Sequence, residues 1–112
     1  MNNFKEYKGI SVVGGNVVAP LVIIDSSDLN VDIDNISGKI AIIRIADPVI
    51  VLRLKKARGL IVERGGVTSH GAVLAREFNI PCIVGVDGVY DENINGLIAT
   101  LQSDQGVLKV WS

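Results

Sequence analysis

Three short and almost wholly apolar runs alternate with two segments of helix length in the middle of this chain. The runs are KIAIIRI (39–45), LIVE (60–63) and CIVGV (82–86). Runs of this length that are rich in isoleucine and valine are typical of strands buried on both faces. Strands that alternate with helices usually pair in parallel through right-handed crossovers. The centre of the chain therefore predicts a parallel α/β unit.

Both intervening segments carry signals for the start of a helix. Asp47 and Pro48 suit the cap and the first turn of one helix. Thr68 or Ser69 suits the cap of the other, TSHGAVLAREFN (68–79). The second helix has a narrow apolar stripe that is predicted to pack on the sheet. Its members are Gly71, Leu74, Ala75 and Phe78.

The segments on either side of this unit predict antiparallel strands. Two apolar stretches, 9–13 and 16–24, are separated by Gly14 and Gly15, a pair suited to a tight hairpin. Pro20 favours an edge position for the second of these strands, because proline has no N–H for the ladder. The closing stretch (93–111) predicts another hairpin, preceded by a turn at Asn95-Gly96.

Two polar segments predict irregular structure. Residues 1–8 are expected to be loose, and residues 25–38 are expected to form an exposed loop. The 112 residues provide enough chain for one domain, so 1–112 is read as a single domain.

Composition excludes several classes of function. The formal net charge is −1, from 11 basic and 12 acidic residues with no basic block, so no nucleic-acid partner is expected. The apolar runs are too short to cross a bilayer, and no membrane association is expected. Cys82 is the only cysteine and no secretory signal is apparent, which together predict a reduced, cytoplasmic protein. Following a proline into an apolar strand, Cys82 is predicted to be a buried, inert thiol.

The single histidine, His70, lies where a glycine loop is predicted to become a helix. It cannot form a zinc site with Cys82 alone, so no metal site is predicted. Ser69 cannot be its nucleophile partner, because neighbours on a helix point about 100° apart. A helix start presents free N–H groups and a positive dipole end, which suit an anion. The same dipole favours a neutral, nucleophilic imidazole.

These features match a site that carries a phosphoryl group on His70. The anionic adduct would be stabilised by N–H groups, by the hydroxyls of Thr68 and Ser69, and by Arg64. Physical reasoning alone also allows an ordinary surface histidine. In that case His70 would be a polar residue near a turn, and Arg76 a solvated or salt-bridged side chain.

The longer stretch GGVTSHGAVLAREFNIPCIVGV (65–86) resembles the signature of the phosphohistidine swivelling domain, the mobile domain of enzymes that use phosphoenolpyruvate. The matching positions are Gly65, Gly66, Thr68, Ser69, His70, Ala72, Ala75 and Arg76, followed by Ile80, Pro81 and Gly85. The resemblance extends to the opening strands and the closing hairpin. With Arg64 directly before the glycines, the motif resembles that of the dikinase and synthase branch of this family.

The resemblance implies a swivelling β/β/α fold, with three layers that include a parallel and an antiparallel sheet. It also implies that His70 is phosphorylated and is the catalytic residue. Gly65, Gly66, Thr68, Ser69 and Arg64 are then expected to stabilise the phosphate, with Arg76 in a secondary role. No cofactor is expected on this chain. Nucleotide-binding and phosphoenolpyruvate- or pyruvate-binding partner domains or chains, with Mg²⁺ held there, are implied instead.

Some positions depart from the family pattern. Gly71 replaces the usual alanine and is expected to loosen the helix start slightly, while Gly14 and Ala19 stand where proline and glycine are usual. The chain also lacks the companion domains, which fits either a free-standing carrier or an excised domain. A non-catalytic binding or regulatory module that kept the scaffold is the alternative function, and an ordinary structural domain is a second rival.

Overall fold

A parallel strand–helix–strand–helix–strand unit forms the centre of the computed structural model, which describes residues 3–25 and 32–112. The eight strands are β1 (Phe4–Lys8), β2 (Ile10–Val13), β3 (Asn16–Ile23), β4 (Ile40–Ile43), β5 (Gly59–Val62), β6 (Cys82–Val84), β7 (Ile98–Gln102) and β8 (Val107–Trp111). The α-helices are α1 (Ile33–Ile36), α2 (Pro48–Val51) and α3 (His70–Phe78). Short 3-10 helices cover Leu52–Lys56, Glu92–Ile94 and Ser103–Gln105.

Strands β3, β4, β5 and β6 pair in parallel, in that spatial order. Helix α2 lies between β4 and β5 in the chain, and α3 lies between β5 and β6. The Asp47 carboxylate accepts the Val49 N–H at 2.8 Å and caps α2. The predictions of a parallel unit and of an Asp47 cap are therefore confirmed.

An antiparallel sheet in the order β1, β8, β7, β3 completes the fold. The closing hairpin of β7 and β8 is confirmed, with Leu101 opposite Leu108. Residues 4–8, predicted to be loose, instead form β1, which pairs along its whole length with β8. Tyr7 is the one buried side chain of this strand, and the strand depends on pairing with β8, which is far from it in the sequence. Residues 1–2 lie outside the described residues.

The hairpin predicted at Gly14-Gly15 is wrong. Strand β2 pairs antiparallel with β6, whereas β3 pairs with β7 and β4. The two strands are consecutive in the chain, but each pairs with other strands and not with its neighbour. Gly14 and Gly15 therefore connect β2, which lies at the edge beside β6, to β3, which lies in the middle of the strand order.

Strand β3 belongs to both sheets. Its residues Asn16–Pro20 pair with β7, and Leu21–Ile23 pair with β4. The edge position predicted for Pro20 is therefore wrong, because β3 is central. Pro20 instead stands where one ladder gives way to the other, so its missing N–H interrupts neither ladder in its interior.

Two apolar layers result from this arrangement. One lies between the sheets and includes Leu21, Ile40, Ile42, Ile61, Ile83, Leu101 and Leu108. The other lies between the parallel sheet and the helices and includes Ile43, Leu54, Leu60, Val62, Leu74, Ala75 and Cys82. The chain thus has the predicted α/β fold, three layers in the order antiparallel sheet, parallel sheet, helices.

Two further predictions need correction. Residues 25–38 were expected to form a loop, but α1 begins at an Asp32 cap within them and its Ile36 is completely buried. Residues 26–31 lie outside the described residues. Phe78 was expected to pack on the sheet but is half exposed, since α3 buries only Gly71, Ala72, Leu74 and Ala75. In the described residues, no helix is long and apolar enough to cross a bilayer.

Candidate functional site

The carboxyl ends of β4, β5 and β6 meet at one edge of the parallel sheet, where parallel α/β proteins commonly bind ligands. The glycine loop follows β5 at this edge and leads into α3. Gly65 has a φ of 135°, which favours glycine, and a Cβ there would lie 3.3 Å from the Ser69 Cβ. The loop at Gly65 therefore packs closely against Ser69, at the start of α3.

Ser69 is the cap of α3. Its hydroxyl oxygen accepts the Ala72 N–H at 3.4 Å, and its own N–H donates to the Gly66 carbonyl at 3.1 Å. His70 is the first residue of α3 and is exposed, as is Thr68. The N–H groups of the first helical turn have no acceptor inside the helix. The structure thus brings an accessible imidazole to the start of a helix, a position that suits an anion.

Gly71 reaches closer to the sheet than an alanine would. A Cβ at this position would lie 3.0 Å from Val62 Cγ2 and 3.3 Å from Ala46 Cβ. The expectation that Gly71 only loosens the helix start therefore omitted its packing role. The small residue therefore lets the first turn of α3 pack closely on Val62, at the end of β5.

Gly71→Ala is expected to lower the free energy of unfolding by about 1 kcal/mol. Alanine gains about 1 kcal/mol of helix propensity. Overpacking costs about 1–3 kcal/mol, because the completely buried Val62 cannot turn aside. Urea unfolding of the variant and the wild type would measure this difference. A variant that is more stable would show that Val62 gives way and that packing does not explain Gly71.

Arg64 and Arg76 occupy different positions. Arg64 directly precedes the glycines, and its side chain is 70% exposed, with Nε 3.9 Å from a Glu63 carboxylate oxygen. Arg76 is six residues beyond His70, about 9 Å along the helix axis and on another face. Its charge acts on the buried Cys82 thiol. The fold therefore places Arg64 at the loop and Arg76 on the far side of α3.

A cluster that sequence reasoning missed lies at the same sheet edge. The Glu63 carboxylate, whose side chain is 12% exposed, accepts the Tyr90 N–H at 2.9 Å and lies 3.5 Å from Arg44 Nε. The Arg44 guanidinium stacks over the Tyr90 ring at 4.5 Å. Arg44 follows β4 and Glu63 follows β5, which was the signal available from the sequence. The cluster joins the loops after three parallel strands.

Tyr90 also anchors the end of β3. Its hydroxyl donates to the Ile24 carbonyl at 3.1 Å. Burial raises the pKa of Tyr90, and the negative charges of Asp25 and Glu92 act in the same direction. The phenol therefore stays protonated and keeps its donor role across the neutral range. This contact ties the segment after β6 to the end of β3.

Cys82 is not a reactive group. It is completely buried in β6, and burial raises its pKa to about 12, an effect that the Arg76 charge only partly opposes. Only the thiolate is an effective nucleophile. The prediction of a buried, inert thiol is confirmed. Among the described residues, no three histidine, cysteine or acidic side chains cluster as metal ligands.

The raised pKa of Cys82 predicts a pH dependence of stability. The unfolded thiol ionises near pH 9, while the folded thiol ionises near pH 12, so folding loses stability as pH rises through this window. The slope is at most about 1.4 kcal/mol per pH unit. In urea unfolding, the wild type should therefore weaken more steeply than Cys82→Ala above pH 9. Parallel profiles for the two proteins would contradict this assignment.

Comparisons with known proteins identify the family and agree on the fold. The family described as "PEP-utilising enzyme, mobile domain" (PEP, phosphoenolpyruvate) matches residues 36–106. The chain is 35% identical over 99 residues to a pyruvate kinase of Staphylococcus epidermidis, covering 88% of this chain and 17% of that protein. It is 32% identical over 89 residues to the phosphoenolpyruvate synthase of Pyrococcus furiosus, covering 79% of this chain and 10% of that one. It thus spans a small part of these relatives.

Solved structures show the same architecture. Aconitase X of Thermococcus kodakaraensis aligns with a TM-score of 0.73 at 21% identity, over 95% of this chain and 98% of that one, a likeness of fold. An Enzyme I structure aligns with a TM-score of 0.57 at 27% identity, over 78% of this chain and 34% of that one. With the sequence match across the glycine loop and α3, these findings show that the chain belongs to the mobile-domain family of PEP-utilising enzymes.

Proposed function

We propose that the chain is a phosphoryl carrier that accepts the group on His70 and passes it to a second site. The observation that carries this proposal is the exposed imidazole at the start of α3, directly after the glycine loop. An imidazole buried against Leu74 and Phe78 would instead have indicated a purely structural role. Family membership supports the same function.

The transfer would proceed by nucleophilic attack. A lone pair on the ring nitrogen remote from the backbone forms the N–P bond as the donor's P–O bond breaks, and the leaving oxygen keeps that electron pair. The proton on the other ring nitrogen then passes to solvent, which leaves a neutral ring carrying the phosphoryl group. The reverse sequence delivers the group to an acceptor oxygen. His70 is the catalytic residue in both directions.

Groups around His70 are suited to stabilise the adduct. The N–H groups of the first turn of α3 and the flexible backbone of Gly65 and Gly66 suit the phosphoryl oxygens. The Ser69 oxygen accepts the Ala72 N–H, so its hydroxyl proton remains to donate. Thr68 supplies a second hydroxyl. The side chain of Arg64 is exposed and makes a long ion pair with Glu63, and such a weak contact lets it turn toward the anion.

The donor and acceptor sites would belong to partner domains or chains. The relatives named phosphoenolpyruvate synthase and pyruvate kinase are several times longer than the segment they share with this chain. We propose that a nucleotide site and a phosphoenolpyruvate or pyruvate site lie there, with Mg²⁺ neutralising the charge in transfer. The chain would then be a component of a cytoplasmic phosphotransferase.

Labelling with a small phosphoryl donor tests this function directly. The purified protein is incubated with phosphoramidate, and its intact mass is measured before and after acid treatment. We expect one phosphoryl adduct that is lost in acid and that maps to the peptide containing His70. A folded protein that gains no adduct, while a known phosphohistidine carrier is labelled alongside, would contradict the proposal and favour a non-catalytic binding module on the same scaffold.

A further inference from the structure

An apolar groove runs along the helical layer and ends at His70. It lies between α2 with the following 3-10 helix on one side and α3 on the other, and it measures about 210 Å³. Besides His70, its lining consists of Pro48, Leu52, Val73, Leu74, Glu77 and Phe78. The imidazole is thus part of the groove wall, and a molecule that reaches His70 along this face must pass over the groove.

The groove exposes large apolar side chains that the fold leaves uncovered. Leu52 is 66% exposed, Val73 is 50% exposed and Phe78 is 45% exposed. Val49, on the adjoining helix α2, is also mostly exposed. Apolar side chains that cluster on a surface, rather than scatter singly, mark a surface for interaction. Since α3 already buries Leu74 and Ala75 on its inner side, its outer apolar residues are not needed for the core.

The size of the groove favours a side chain as its occupant. Pockets for drug-sized ligands and cofactors occupy roughly 300–1,000 Å³. A groove of about 210 Å³ is too small for a nucleotide but can receive one or two large apolar side chains. Interfaces commonly use an aromatic or aliphatic anchor of this kind in such a recess. The groove therefore fits a protein partner.

The negative charge in the groove lining indicates which residue of the partner would lie beside that apolar side chain. Glu77 is the acidic side chain in the lining, and it is exposed. A lysine or arginine on the partner would complement this carboxylate and fix the orientation of approach. We propose that the groove docks the partner domain that donates the phosphoryl group to His70, through a large apolar side chain flanked by a basic residue. This inference rests on the proposed function.

The test separates docking from chemistry by using two donors. Phosphoramidate reaches His70 without a protein partner. A clarified extract of the source cells, with Mg²⁺ and either ATP or phosphoenolpyruvate, supplies the partner. The rate of acid-labile labelling of His70 is measured with both donors for the wild type, Leu52→Glu and Glu77→Lys. The matched controls are Val18→Glu and Glu6→Lys, which place an apolar-to-acidic and an acidic-to-basic change on exposed positions of the antiparallel sheet.

We expect Leu52→Glu and Glu77→Lys to slow labelling in the extract by about ten-fold or more, the effect of losing an interface anchor. Their labelling by phosphoramidate, and both rates for the two controls, should stay within about two-fold of the wild type. Extract labelling of Leu52→Glu at the wild-type rate would overturn the docking proposal, as would equal losses in the controls.

Three other outcomes are also decisive. A wild type that phosphoramidate labels but no extract mixture labels would overturn the docking proposal and leave the chemistry of His70 intact. A wild type labelled by neither donor would overturn the proposed function itself. A wild-type dimer in sedimentation that becomes monomeric in Leu52→Glu would assign the groove to a second copy of this chain, and so would also overturn docking of a donor domain.

Discussion

The His70→Asn protein is expected to accept no phosphoryl group from any donor and to unfold at the same urea concentration as the wild type. The imidazole supplies the only nucleophilic nitrogen at the start of α3, so its loss removes the bond-forming atom. Its exposed side chain contributes little packing, and exposed substitutions usually change stability by less than about 0.5 kcal/mol. Intact mass after phosphoramidate treatment and a urea titration measure the two quantities.

A matched substitution on the same helix controls for this result. Val73→Asn changes an exposed side chain of α3 without removing the nucleophile, and it should be labelled by phosphoramidate like the wild type. Continued labelling of His70→Asn would place the phosphoryl group on another residue and contradict the assignment. A large loss of stability in His70→Asn would point instead to a structural role for the imidazole.

Gly106→Ala is expected to lower the free energy of unfolding by about 2–5 kcal/mol. Gly106 has a φ of 67°, where a Cβ costs about 1–2 kcal/mol. A Cβ would also collide with the backbone carbonyl oxygen of Gly9, and overpacking of this kind adds about 1–3 kcal/mol. Backbone cannot turn aside as a side chain can. The close approach is held by a 2.8 Å hydrogen bond from Gly9 N–H to the Gly106 carbonyl.

Gly88→Ala isolates the conformational part of this cost. Gly88 has a similar φ of 75°, but a Cβ there would meet nothing within 4 Å. Its loss of stability should be limited to about 1–2 kcal/mol. Urea unfolding of both variants gives the cost of the collision by difference. Equal losses would mean that the β7–β8 turn moves away from Gly9 without penalty and that the contact does not hold the two segments together.

The sequence predicted the parts of the fold that depend on local pattern. Apolar runs with helix caps between them located β4, β5 and β6. Asp47 was recognisable as one cap, and the other was predicted at Thr68 or Ser69, of which the structure shows Ser69. Pairing between distant segments left no such pattern. The segment Phe4–Lys8 has three charged residues between and after its two aromatic ones, which does not resemble a buried strand. It becomes a strand because it pairs with β8, with Phe4 opposite Trp111.

The candidate site was predictable for a different reason. The glycines, Ser69 and His70 are consecutive in the chain, so their spacing alone places them on one loop. The groove was not predictable, because Leu52 and Phe78 meet only after α2 and α3 pack side by side. A helical wheel placed Phe78 on the buried stripe of α3. A wheel shows on which side of a helix a residue lies, but not how far along the helix the sheet extends.

Strand β3 has a consequence for how the molecule moves. One continuous strand supplies hydrogen bonds to both sheets, so neither layer can separate without breaking the ladder of the other. Unfolding should therefore be a single cooperative transition, with amide protons in both sheets exchanging together. Within the described residues, no hinge between the two sheets is therefore expected. If His70 serves two reaction centres, as proposed, movement of the domain as a whole would bring it from one to the other.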